Sequence, residues 1–368
     1  MRKYNIDFLR IVFLVAILLQ HASIDAFSGQ NFALRFVANN SLAVEFFFIM
    51  AGYFLYNEIE YKKYPLTKFI VKKWIRLAPV CILATLLHFI FYKLNLVKQP
   101  IFWRNEFLNI FFIREIGINS FYSVPLVNNL FSCNTHLWYL GPLFWGSIFY
   151  YSIFLYFDTY KSRLLISVIA FVTFILYSHN LFPVCHGLFR GLSCIGIGYF
   201  AHLLGCRIPK NINYNHNYVL IWGGVEMFCF IEIFSTLLIK RDIEELNFYF
   251  IFLFCILLIS FDTNQGFFGK LLNLKYFGGF MGKYSYSIYV IQYPIQILIN
   301  RSNKIGSILT SFRENHPFQE LILSLSFIFL IGILVYYLIE KKVGQYFEKK
   351  LSSKLKKDSV NSSSQFRF

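Results

Sequence analysis

The chain has 368 residues, of which 57% are hydrophobic and 21% aromatic but only 15% charged, where an ordinary soluble domain carries about 25% charged residues. That balance excludes a soluble globular domain and predicts an all-α fold, a polytopic membrane helix bundle. The net charge of +16 would suit a nucleic-acid partner in a soluble protein, but here the Lys and Arg sit in short loops beside apolar runs. They are read as topological signals, with no nucleic acid expected.

A spanning helix needs roughly 17 to 25 mainly apolar residues. Ten segments qualify, near 7–27, 41–57, 75–94, 136–157, 164–182, 187–206, 218–239, 246–262, 284–300 and 319–339, so about ten transmembrane helices are predicted, within a range of eight to eleven. The first follows Met-Arg-Lys and resembles a signal peptide, but Asp7 and Arg10 interrupt its apolar core, and it is read as a retained helix. Eleven residues separate Arg10 from His21, close to three full turns, so the two share a helix face about 16 Å apart, and Asp7 joins that face three residues before Arg10. The plain alternatives are an arginine that snorkels to the membrane surface and an interfacial histidine bonded to a carbonyl.

The second segment, SLAVEFFFIMAGYFLYN, carries Glu45 and Gly52. Glu45 is either a functional group or half of a buried ion pair with Arg10 or Arg190, and Gly52 suits close helix packing. In FIVKKWIRLAP, residues 69–79, Lys72, Lys73 and Arg76 stand just before Pro79 at the expected inner mouth. They form either a positive flank or a cradle for the phosphates of a nucleotide-type donor. The outer segment 95–135 contains IFWRNEFLNIFFIREIG, suited to a helix lying in the interface.

THLWYLGPLFW then sets His136, Trp138 and Tyr139 where a span leaves the outer surface, as an aromatic belt or a sugar platform. Arg190 opens FRGLSCIGIGYFAH, whose Gly191, Gly196 and Gly198 point to tight helix contacts more than to a phosphate loop. His88, Glu226 and Glu232 lie in apolar runs without a supporting motif and are read as packed, partner-satisfied groups. Seven cysteines form no CxxC pair, and no metal site is expected.

Positive residues concentrate in alternate loops, beginning with Arg2 and Lys3 and ending in EKKLSSKLKKDSVNSSSQFRF. Both termini are therefore expected in the cytoplasm, with the chain in the cell (inner) membrane. The membrane domain is placed at 1–340 and a basic, flexible tail, attracted to anionic lipid, at 341–368.

Asp7-Phe8-Leu9-Arg10 followed by His21, VEFFFIMAGYFL, KKWIRLAP, THLWYL, FRGLSCIGIGYF, YSYSIYVIQYPI and YYLIEKK occur in an order that resembles the acyltransferase 3 family of integral-membrane acyltransferases over about 1–342. The chain departs from the family pattern at Ala51, where Ser is common, at Lys73, where the first Arg of an Arg-x-x-Arg pair is common, and at Gln292, where His is frequent. Gln292 leaves His21 as the main acid/base candidate.

The resemblance implies transfer of an acyl group, most often acetyl, from acyl-CoA to a hydroxyl of an envelope polysaccharide or its lipid-linked precursor. The CoA ester would be a substrate, and no permanently bound cofactor is implied. His21 and Arg10 would be catalytic, Lys72, Lys73 and Arg76 would bind the donor, and Glu45, His136, Trp138 and Arg190 would line the acceptor pocket. His21 would act as a general base or as a transient acyl carrier. The rival readings are a transporter or flippase for lipid-linked saccharides, a glycan polymerase and a catalytically silent scaffold. The residues specify no oligomeric state.

Overall fold

The computed structural model describes residues 3–26, 41–62, 64–96, 110–113, 135–182, 185–208, 216–238, 247–273, 279, 282–301, 312, 315–347 and 349–350. Among the described residues there is no strand, and the ten apolar segments reappear as ten long helices. In chain order they are α1 (Tyr4–Ala26), α2 (Ser41–Asn57), α3 (Leu66–Lys93), α4 (Leu140–Tyr156), α5 (Thr159–Ser178), α6 (His186–Gly205), α7 (His216–Leu238) and α8 (Asn247–Thr263). A short α9 (Phe267–Leu271) precedes α10 (Ser285–Arg301) and α11 (Pro317–Val335). Seven of these stretches are long and apolar enough to cross a membrane by themselves. The chain is a multi-pass membrane protein.

Two boundaries differ from expectation. α3 begins at Leu66 instead of near 75, because Leu66, Phe69, Ile70, Trp74 and Leu77 continue its apolar stripe through the basic residues. Lys72, Lys73 and Arg76 therefore stand on the helix itself. At the other end, α11 passes through a π-helical turn, Tyr336–Glu340, and the helical stretch runs on to Phe347. Residues 341–347, expected in a flexible tail, thus extend the last helix, and 351–368 lie outside the described residues. So do most of the interfacial segment 95–135 and the side chain of His136, whose backbone sits in the 3-10 turn Thr135–Tyr139.

The helix ends are written locally. Asp158 caps α5, its carboxylate accepting from the Lys161 N–H at 2.9 Å. Asn95, Asn180 and Asn264 take positive φ just past α3, α5 and α8. After each, the next N–H turns back onto a carbonyl five residues earlier, as in Leu96 to Phe91 at 2.9 Å and Leu181 to Leu176 at 3.1 Å. Asparagine tolerates this left-handed geometry better than most residues.

α1, α2 and α6 are largely enclosed, and α5, α7 and α11 form the perimeter, carrying exposed Phe171, Ile221, Phe228 and Leu330 toward lipid. Glycine sets the closest contact. A Cβ on Gly52 of α2 would lie 1.9 Å from the Ile195 carbonyl oxygen of α6, and one on Gly198 would lie 2.0 Å from that of Ile49. Backbone thus meets backbone, the usual way for helices in lipid to gain van der Waals contact when there is no water to expel.

Candidate active site

The first polar centre lies on α1. The Arg10 guanidinium donates to the Asp7 carboxylate at 2.8 Å, its Nε lies 3.0 Å from the Met50 sulfur, and its plane sits 5.2 Å from the Phe54 ring. An i,i+3 pair on one helix needs no tertiary partner to form. The two α2 side chains then fix which way the guanidinium points. The Arg10 charge, on a side chain 22% exposed, is paired within α1 and turned toward α2.

His21 stands about 16 Å further along α1 at ~1.5 Å per residue. Its imidazole faces the buried Gln292 side chain of α10. Both groups point into the protein, one toward α2 and the other toward α10.

A second centre joins three helices and the turn before α4. Arg190 of α6 pairs with Glu45 of α2 at 3.4 Å, and both side chains are buried. The Tyr177 hydroxyl of α5 donates to the same Glu45 oxygen at 2.5 Å. The Arg190 guanidinium also lies over the Trp138 ring at 5.7 Å and the Tyr177 ring at 5.8 Å. Of the two arginines open to Glu45 in the sequence, the fold supplies Arg190, because Arg10 is held by Asp7. Among the described residues, Glu45 Oε2 is buried and makes no protein hydrogen bond.

A third centre lies along α3. Lys68 and Lys72 stand over the Tyr64 ring at 4.4 Å and 5.0 Å, and Lys73 over Phe69 at 5.2 Å. Arg76 is exposed and within electrostatic range of Glu340, which accepts from Ser287 of α10. One turn on, the Tyr286 hydroxyl donates to the Leu77 carbonyl at 2.5 Å and touches the Cys81 sulfur at 3.3 Å. Tyr289 packs edge-on to Tyr139 at 4.7 Å.

The structure thus brings Glu45, Trp138 and Arg190 together, and Asp7 with Arg10, but keeps Arg10, His21 and the α3 cations as separate groups. Sequence reasoning missed Tyr177, Met50, Phe54 and Tyr286, which are ordinary apolar-helix residues until a neighbour is known. Glu340 did carry a signal, being an acid at the end of a long apolar run. Glu226 and Glu232 are partner-satisfied as expected: Glu226 is bonded by Ser260 and two backbone N–H groups, and Glu232 interacts with Tyr249.

Apolar helices enclosing buried, paired charges define a polytopic membrane protein with a polar interior. The family model of the acyltransferase domain, acyltransferase 3, matches residues 3–341, and the chain belongs to that family. It is a membrane acyltransferase. No curated protein and no solved structure matches the chain.

Proposed function

We propose that the protein transfers an acetyl group from acetyl-CoA to a hydroxyl of a cell-envelope polysaccharide or its lipid-linked precursor, within the inner membrane and with both termini in the cytoplasm. The observation that carries this reading is the α1 arrangement in a chain of the acyltransferase family: His21 facing α10, and about three turns away an Arg10 fixed by Asp7.

In this reading, Lys72, Lys73 and Arg76 hold the donor's phosphates, where Lys point charges and an Arg fork both suit the ligand. The donor's arm runs into the bundle past Arg10 toward His21. The imidazole takes the proton of the acceptor hydroxyl as its oxygen attacks the thioester carbonyl; the C–S bond breaks and the thiolate leaves, to be protonated as CoA. Arg10, about 16 Å from His21 along α1, offers a fixed cation for the donor's phosphates rather than for the reacting carbonyl. Glu45, Arg190, Trp138 and His136 serve the acceptor: the indole offers a face to a sugar ring, and Glu45 Oε2 offers a buried acceptor for a sugar hydroxyl.

The test uses purified protein in liposomes with radiolabelled acetyl-CoA and candidate glycans. His21→Ala is expected to slow label transfer roughly 10²–10⁴-fold, and Arg10→Ala to raise the donor KM. Equal transfer by all three proteins refutes the assigned roles, and glycan movement without acylation favours a transporter.

A further inference from the structure

A carboxylate on a perimeter helix requires a reason, since a charge in an apolar span is costly and seldom lacks a role. Glu226 of α7 is completely enclosed. Its Oε1 accepts from the Ser260 hydroxyl of α8 at 2.6 Å, its Oε2 from the Phe268 N–H at 2.7 Å, and both oxygens lie 3.2 Å from the Gly269 N–H. The turn between α8 and α9 is shaped to admit this group. A Cβ on Gly266 would lie 2.2 Å from the carboxylate carbon, and one on Gly269 would lie 3.0 Å from Oε1.

The same residue, Gly269, is also gripped through its carbonyl, on the following peptide. Its carbonyl accepts from the Asn5 amide of α1 at 3.1 Å, and that amide also donates to the Phe261 carbonyl and, at 3.0 Å, to Asn264 Oδ1. Asn5 is fully buried in the first turn of α1. Lys3 next to it pairs with Asp262 at 3.4 Å. One residue therefore donates its N–H to α7 and offers its carbonyl, on the next peptide, to α1. The Asp7–Arg10 pair stands on the helix turn that this arrangement fixes.

We propose that Glu226 is a positioning residue for Arg10, fixing the first turn of α1 through the Gly269 backbone and Asn5. This rests on the reading that Arg10 serves the acyl donor. The two bonds fall on the two planar peptides that flank the Gly269 Cα, so Glu226, by holding the N–H side, fixes where the carbonyl that Asn5 uses is presented. Losing the carboxylate frees the turn to move and takes with it the tether of α1.

The experiment is amide hydrogen exchange on the full chain in micelles, read at Ile6 and Asp7, of which Asp7 N–H bonds the Lys3 carbonyl at 3.2 Å. Glu226→Ala should speed exchange at both amides by about tenfold or more, the signature of local opening, and weaken CoA binding with little change in kcat. Glu226→Gln, whose amide oxygen can still accept from Phe268 and Gly269, should recover most of the protection. Faster exchange at Phe268 and Gly269 with wild-type rates at Ile6 and Asp7 overturns the proposal and leaves a local staple.

Should Glu226→Ala fail to fold, Asn5→Ala supplies the converse reading. It leaves the Glu226 bonds in place; Ile6 N–H, which donates to Asn5 Oδ1 at 2.9 Å, loses its acceptor directly, so the reading is taken at Asp7, which should loosen just as strongly, and an unchanged rate there overturns the proposal. Exchange needs no turnover, so a wild type that is inert with acetyl-CoA refutes the functional reading while the clamp is still judged by its amides.

Discussion

Arg190→Met removes one half of the Glu45–Arg190 pair and leaves a similar volume of side chain. Two unit charges 3.4 Å apart attract by about 5 kcal/mol at an effective dielectric near ~20, and breaking a buried pair on one side costs roughly 3–5 kcal/mol because the surviving charge stays enclosed. The Tyr177 hydroxyl, 2.5 Å from Glu45 Oε1, offsets part of this; a hydrogen bond to a charged acceptor contributes about 1.5–3 kcal/mol. Arg190→Met should therefore cost more stability than Tyr177→Phe. The double variant Arg190→Met, Glu45→Gln should cost clearly less than its two single changes added together, since neither charge is then left behind. Unfolding by denaturing detergent in mixed micelles, followed by tryptophan fluorescence, gives the cycle directly. If the single effects add to within ~0.5 kcal/mol, the two groups are not coupled, and the assignment of one polar centre joining α2, α5 and α6 is wrong.

The Gly52–Gly198 contact makes a steric prediction: Gly52→Ala should destabilise by roughly 1–3 kcal/mol, since the clash is with backbone oxygen. Gly224→Ala meets nothing within 4 Å and should gain up to about 1 kcal/mol from helix propensity; thermal unfolding of both variants side by side checks the contrast. At the surface, the Lys161 backbone N–H, followed by its side chain, holds the Asp158 carboxyl below the usual carboxylate range. A folded value below the unfolded one means the cap's contribution is full above the ordinary carboxylate pKa and fades as pH falls through the folded one. Melting of wild type and Asp158→Asn from neutral to acid pH should converge at the acid end, and a constant gap rejects the cap as its source. If His21 is a general base rather than an acyl carrier, rapid-quench reactions of donor and enzyme without acceptor should show no labelled protein; stoichiometric label lost in His21→Ala establishes the two-step route.

Much of the fold was legible because a bilayer punishes unmet backbone polarity, which makes long apolar runs helical and their length a sufficient signal. Misreadings came where charge sits inside a helix. Lys72 and Lys73 suggested a flank before the helix, yet α3 continues through them, and their ammonium groups settle over Tyr64 and Phe69. The basic tail likewise concealed the helical stretch to Phe347. In the candidate site, the Asp7–Arg10 pair was readable from an i,i+3 spacing, and the close packing of Gly52 and Gly198 from small residues in apolar helices.

Partner choice was another matter. Nothing local could say that Glu45 meets Arg190 and Tyr177, that His21 faces Gln292, or that Glu226 and Asn5 grip one residue, since these groups come from helices separated by dozens to hundreds of residues. The amino-acid order alone determined that the chain spans a membrane many times, where its helices lie and which polar groups they must enclose, because transfer free energy and helix periodicity act over short windows. Only the tertiary structure decided which enclosed group meets which, because that depends on how helices rotate and slide against one another, and glycine-sized gaps on α2 and α6 set that fit.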